Sequence, residues 1–81
     1  MPTFLERLGG RLPLSMVVIV NDQEHTLPEP LSVSALLVRL GLDKQPCAVE
    51  VNRKLVPKLR HPLHDLVEGD KVEVVTLVGG G

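Results

Sequence analysis

The groups best suited to chemistry stand together at the end of the sequence, in Leu77-Val78-Gly79-Gly80-Gly81 and its terminal carboxylate. Glycine has no Cβ, so such a thread is narrow, takes almost any φ and ψ, and passes through a tunnel that larger residues would block. A carboxyl group on a thin thread is one that another protein can reach and activate. The same composition also occurs at plain chain ends that serve no purpose.

Elsewhere reactive side chains are sparse. His61 and His64 stand three apart across Pro62, with Cys47 and His25 as the nearest partners in kind. The further local ligands of a zinc site are missing, so the histidines read as surface loop residues and no metal is expected. Cys47 falls in a strand-like run without an acid or base beside it and reads as a small buried apolar residue. Glu68 and Asp70 flank Gly69 and read as solvating a turn rather than as a catalytic pair. No glycine-rich phosphate loop precedes a helix, so ATP is not expected to bind unaided. No residue of this chain is assigned a catalytic role.

Something must hold the thread by its root. In Lys71–Val78, residues 72, 74 and 78 are apolar on one side of an alternation that Thr76 interrupts, while Glu73, Val75 and Leu77 fall on the other. That is the period of a strand. Upstream, Met16–Val20 is β-prone, Asn21-Asp22 is turn-prone, and Gln23–Leu27 completes a hairpin that Pro28 and Pro30 stop. Ser32 caps a helix expected over about 33–40, where Val33, Leu36, Leu37 and Leu40 form one apolar stripe. Leu31 and Leu36 match a hydrophobic staple, and Gly41 sits where a left-handed residue ends the helix. Cys47–Val51 is a third strand with Cys47, Val49 and Val51 on one face. Asn52-Arg53-Lys54 turns the chain into a short strand, Leu55-Val56, cut off by Pro57. Lys58–Val67 reads as loop or irregular helix, and Glu68-Gly69-Asp70 as a turn.

This order gives an α+β domain, a mixed sheet of four to five strands with one helix on one face and the last strand central. With 81 residues there is room for one such domain. Phe4 is the only aromatic residue, so the core must be aliphatic, and no stacking platform for single-stranded nucleic acid exists. A net charge of −1 likewise argues against a nucleic-acid partner. The single cysteine rules out an internal disulfide and fits a reducing cytoplasm. No apolar run approaches membrane-spanning length, and a secretory signal pattern is missing, so a cytoplasmic location is expected. Residues 1–15 read as a flexible extension or a start ahead of Met16, residues 16–78 as the domain, and residues 79–81 as a flexible tail.

These pieces, in this order, resemble the β-grasp (ubiquitin-like) fold and, within it, the ThiS family of sulfur carriers of thiamin (thiazole) biosynthesis. The resemblance rests on Val20-Asn21-Asp22, the Ser32-to-Leu40 helix, Ala48–Asn52, Leu55-Val56-Pro57, Glu68–Glu73 and Leu77–Gly81. Two departures stand out. Arg53 replaces a frequent glycine and leaves that turn's type open, and an aromatic residue common in relatives is missing from Arg60–His64.

The resemblance implies that Gly81 is the reactive end, with Gly79 and Gly80 as the thread behind it. An E1-like adenylating enzyme (ThiF type), using its own ATP and magnesium, would couple the Gly81 carboxylate to AMP. A persulfide donor would then supply sulfur and leave a thiocarboxylate for a thiazole synthase (ThiG type). The chain would be a protein substrate, not an enzyme, and would bind no cofactor. Val75, Leu77 and Val78, beside the tail, are the expected partner contacts. Alternatives are the small subunit of molybdopterin synthase, disfavoured by the lack of an aromatic in Met16–Val20, and a ubiquitin-like protein modifier.

Overall fold

The computed structural model describes residues 15–77. The expected tail and contact residues Val78, Gly79, Gly80 and Gly81 lie outside the described residues, as does the expected N-terminal extension except for Ser15.

Two hairpins supply four of the strands. Met16–Val20 (β1) and Gln23–Leu27 (β2) pair antiparallel across Asn21-Asp22. Cys47–Val51 (β3) and Lys54–Val56 (β4) pair antiparallel across Asn52-Arg53. All four turn residues have positive φ, at 48° and 68° in the first turn and 52° and 70° in the second. Left-handed backbone at both central positions is what a two-residue type I′ turn requires, and its twist suits a hairpin. The second turn is therefore the tight kind despite Arg53. Lys54, expected in the turn, already belongs to β4.

The fifth strand, Lys71–Thr76 (β5), runs through the middle of a sheet ordered β2-β1-β5-β3-β4. It lies parallel to β1 and antiparallel to β3.

The crossover helix is Val33–Arg39 (α1). The Ser32 hydroxyl accepts from the Ala35 N–H at 3.1 Å, which satisfies one of the donors a helix start leaves over. At the other end the Gly41 N–H reaches the Val38 carbonyl and the Leu42 N–H reaches the Leu37 carbonyl, with Gly41 at φ +74°. This pair of bonds is a Schellman closure, and it needs a residue at ease in the left-handed region. Val33, Leu36 and Leu37 are the buried stripe, packed with Val18, Val20, Leu27, Val49, Val51, Val72 and Val74. Every residue of this core is aliphatic or Met16, and each fully buried Val or Leu contributes about 1.5–3 kcal/mol.

Lys58–Val67 is an irregular segment of the kind expected. It opens with a 3₁₀ turn at Lys58–Arg60 and is then sewn to the start of the helix. The N–H groups of Val33 and Ser34 donate to the carbonyls of His64 and His61, and the Leu66 N–H donates to the Leu31 carbonyl. Helix-start donors thus find their acceptors in this segment, and Leu66 enters the core.

Three side chains depart from their expected roles. His61 is not a surface residue: it is 6% exposed, with its Nε2 3.0 Å from the Val56 carbonyl at the end of β4. Asp70 does not solvate its turn. It is 7% exposed and accepts from the Asn52 side chain and the Val67 N–H, both at 2.9 Å. Cys47 is half-buried rather than buried, and its Sγ lies near the carbonyls of Gln45 and Leu42. For Asp70 the burial follows from Asn52, 18 positions away, a partner that a local reading of sequence does not include.

Candidate functional site

The candidate site is the end of β5, from which the glycine thread departs. Its firmness comes from both neighbours. On the β1 side, Ile19 N–H donates to the Asp70 carbonyl and Asn21 N–H to the Val72 carbonyl, each at 2.9 Å. The Asn21 side chain then continues the ladder beyond the end of β1. Its Nδ2 donates to the Val74 carbonyl at 3.1 Å, and its Oδ1 accepts from the Val74 N–H at 2.9 Å.

On the β3 side a second asparagine acts at the opposite end of the strand. The Asn52 N–H donates to the Lys71 carbonyl at 2.7 Å, and its Oδ1 accepts from the Lys71 N–H at 3.0 Å. Its Nδ2 is taken by Asp70. The antiparallel register then runs from Val51↔Val72 to Cys47↔Thr76. Beyond the strand, the Leu77 N–H still donates to the Pro46 carbonyl at 2.8 Å. The backbone is thus held through Leu77, four residues short of Gly81.

The alternation read from sequence sorts the side chains as expected. Val72 and Val74 are buried under the helix. Val75 and Leu77 point away from it, 57% and 50% exposed, with Ala48 opposite Val75 on β3. Two expected partner contacts therefore stand at the root of the thread on the helix-free face. The third, Val78, lies outside the described residues.

Glu68, expected only to solvate its turn, accepts from the Val17 N–H at 3.0 Å and so ties the turn before β5 to β1. The structure does not gather His25, Cys47, His61 and His64 into one site. Among the described residues, no three histidine, cysteine or acidic side chains are grouped as metal ligands. A cavity of about 530 Å³ borders Val51, Leu55, Arg60, Leu63, Val67 and Asp70. It lies toward the start of β5, away from the root of the thread. No helix among the described residues is long and apolar enough to cross a membrane.

The asparagine clamps were missed by sequence reasoning. Their signal was present only as two Asn residues opening two hairpin turns. Which strand each would reach depends on sheet order, which those turns do not encode.

Comparison with known proteins adds independent weight. The ThiS family model matches residues 11–81. A thiazole synthase of Paramagnetospirillum magneticum is 38% identical over 66 residues, which are 82% of this chain and 20% of that protein. The chain thus spans about a fifth of that relative's length. The uncharacterized protein ycf40 of Porphyra purpurea is 38% identical over 63 residues, 76% of this chain and 87% of that one. Among solved structures, the crystal structure of thiamine biosynthesis protein ThiS from Geobacter metallireducens superposes with a TM-score of 0.70. It is 29% identical, and the match covers 82% of this chain and all of that one. The solution structure of a thiamine biosynthesis protein from the same organism gives 0.68, again at 29% identity, covering 82% of this chain and 88% of that one.

Proposed function

The chain belongs to the ThiS family, with the β-grasp fold of its thiamine-biosynthesis relatives, and on that premise we propose that it is a sulfur carrier working through the carboxylate of Gly81. The observation that carries this reading is the way β5 is held. It is central in the sheet, bonded on both sides, and still tethered at Leu77 by Pro46. From Leu77 to Gly81 the chain can reach at most about 14 Å. That suits a body that docks on the outside of an enzyme while its thread enters the active site.

The chemistry explains why such a carrier needs a partner. A carboxylate is a poor acyl donor, because oxide is a poor leaving group and the anion repels nucleophiles. Transfer to the α-phosphate of ATP releases pyrophosphate and leaves an acyl-adenylate, whose AMP is a good leaving group. ATP and magnesium are held by an E1-like adenylating partner. A donor persulfide attacks the carbonyl, AMP departs, and a thiol cleaves the resulting acyl disulfide to release the thiocarboxylate. That sulfur is nucleophilic, and a thiazole synthase is the acceptor. All catalytic groups belong to the partners. This chain supplies a carboxyl group, a thread without side chains, and a surface to be gripped by.

The test is the intact mass of the full chain after incubation with ATP, an adenylating partner and a persulfide source. The expected product carries one oxygen-to-sulfur exchange at Gly81. A chain that stays unmodified, or that becomes joined through Gly81 to a lysine, would overturn the reading.

A further inference from the structure

The cavity of about 530 Å³ is a groove at the β4 edge of the sheet, lined by β4 and by residues 57–67 that follow it. Three exposed apolar side chains border it: Leu55, Leu63 and Val67 are 64%, 72% and 59% exposed. Its size falls within the roughly 300–1,000 Å³ of hollows that enclose a whole ligand. An edge strand with apolar neighbours is a template for unwanted pairing, and folded proteins cover such edges with a loop or a helix.

The chain enters the sheet at the same end. β1 and β5 are parallel, so both begin where Asn52 and Asp70 border the groove. The Val17 carbonyl accepts from the Gly69 N–H at 2.8 Å, and the Val17 N–H donates to the Glu68 side chain. Val67, on the groove wall, is the neighbour of Glu68. Ahead of Ser15 the sequence carries Phe4, Leu5, Leu8, Leu12 and Leu14, residue types in which unfolded segments are poor. Phe4, Leu5 and Leu8 have the spacing of one helix face. Phe4 is the chain's one aromatic residue, and the core of the described residues makes no use of it. From Ser15 back to Phe4 the chain can reach at most about 40 Å, whereas β4 lies three strand spacings from β1, about 14 Å.

We propose that residues 1–14 fold back over this groove, with Phe4 and Leu8 seated among Leu55, Leu63 and Val67, and so close the β4 edge within one chain. The tether selects the occupant. A segment on a short linker meets its own groove at an effective concentration in the millimolar range, which a second copy reaches only in concentrated solution. Val75 and Leu77 are also within the reach of Phe4, but they stand at the other end of β5 and do not border this groove. The cover leaves the thread free, because the groove lies away from its root. The proposal does not depend on the carrier reading.

The experiment is NMR on the isotope-labelled full chain, in which Phe4 carries the only phenyl ring. Expected are nuclear Overhauser contacts from that ring to the methyl groups of Leu55, Leu63 and Val67, and an upfield ring-current shift of those methyls. Phe4→Ser should abolish the shift. Leu63→Asp changes an exposed position and places a carboxylate where the ring sits, so the contacts should vanish while the Val18 and Val49 methyls keep their positions. Trypsin gives an independent reading: cleavage after Arg7 and Arg11 should be about 5–10-fold faster in both variants than in the parent, because the covered state is the protected one. Ring contacts to Val75 or Leu77, or to no methyl at all, overturn the proposal, as do equal cleavage rates in parent and variants. Contacts seen only between differently labelled copies also overturn it and make the groove an interface between two chains. If Leu63→Asp does not fold, Phe4→Ser decides alone.

Discussion

Asn21 and Val74, 53 positions apart, are joined by both hydrogen bonds that a strand residue would make, with a side-chain amide in place of a backbone peptide. β1 has ended by then and the chain has turned away, yet β5 keeps a partner on that side. The clamp sits two residues before Thr76, where the strand stops. It converts a turn residue into part of the sheet at the place where the thread must be held.

Removing this clamp is expected to loosen the end of β5 specifically. Asn21→Gly keeps the left-handed turn and deletes only the two bonds, a loss of about 1–2 kcal/mol. Asn21→Ala adds the strain of a side chain at φ 48°, about 1 kcal/mol more. Urea unfolding measures both. Hydrogen exchange should show the Val74 amide losing protection first, with Val49 and Val18 following only on global unfolding. Equal stability of parent and Asn21→Gly would show that the amide adds nothing to the sheet.

The hydrogen bond between Asn52 and the buried Asp70 makes a second prediction. Asp70→Ala leaves the Asn52 amide and the Val67 N–H without their acceptor, at a cost of about 2–3 kcal/mol. Asn52→Ala breaks the same link and also frees the Lys71 N–H. Because the two changes share one hydrogen bond, the double variant should be less destabilised than the sum by about 1 kcal/mol. Strict additivity in urea unfolding would place the partners outside one network.

Arg53 occupies a position with φ +70° that glycine would fill without strain. A left-handed residue with a side chain costs about 1–2 kcal/mol, and the greater freedom of glycine in the unfolded chain returns about 0.5–1 kcal/mol of that. Arg53→Gly is therefore expected to stabilise the protein by about 0.5–1 kcal/mol in urea unfolding. A loss of stability would mean that the guanidinium makes a contribution larger than the backbone strain.

What could be read in the sequence followed from local rules. Ser32 and Gly41 bracket the helix because a cap and a left-handed stop act on the neighbouring turn of backbone. Val72, Val74, Val75 and Leu77 sort themselves between core and solvent because alternation has a period of two. The hidden features depend on which strands become neighbours. His61 and Asp70 look like surface residues by type, yet one meets the end of β4 and the other meets Asn52, 18 positions away. At the end of β5 the outward placing of Val75 and Leu77 was legible, while the asparagine clamps required the sheet.

The apolar contacts can be separated from the fold. Val75 and Leu77 are more than half and about half exposed, so replacing both with aspartate buries no new charge. The unfolding free energy should change by less than about 1 kcal/mol. If the partner covers them, two carboxylates are then trapped against an apolar rim, each costing the complex well over the loss of a methyl group. Adenylation of Val75→Asp, Leu77→Asp should fall at least about 10-fold in kcat/KM, carried by KM. A folded double variant adenylated at the parent's rate would mean that the partner grips the carrier somewhere other than the root of its thread.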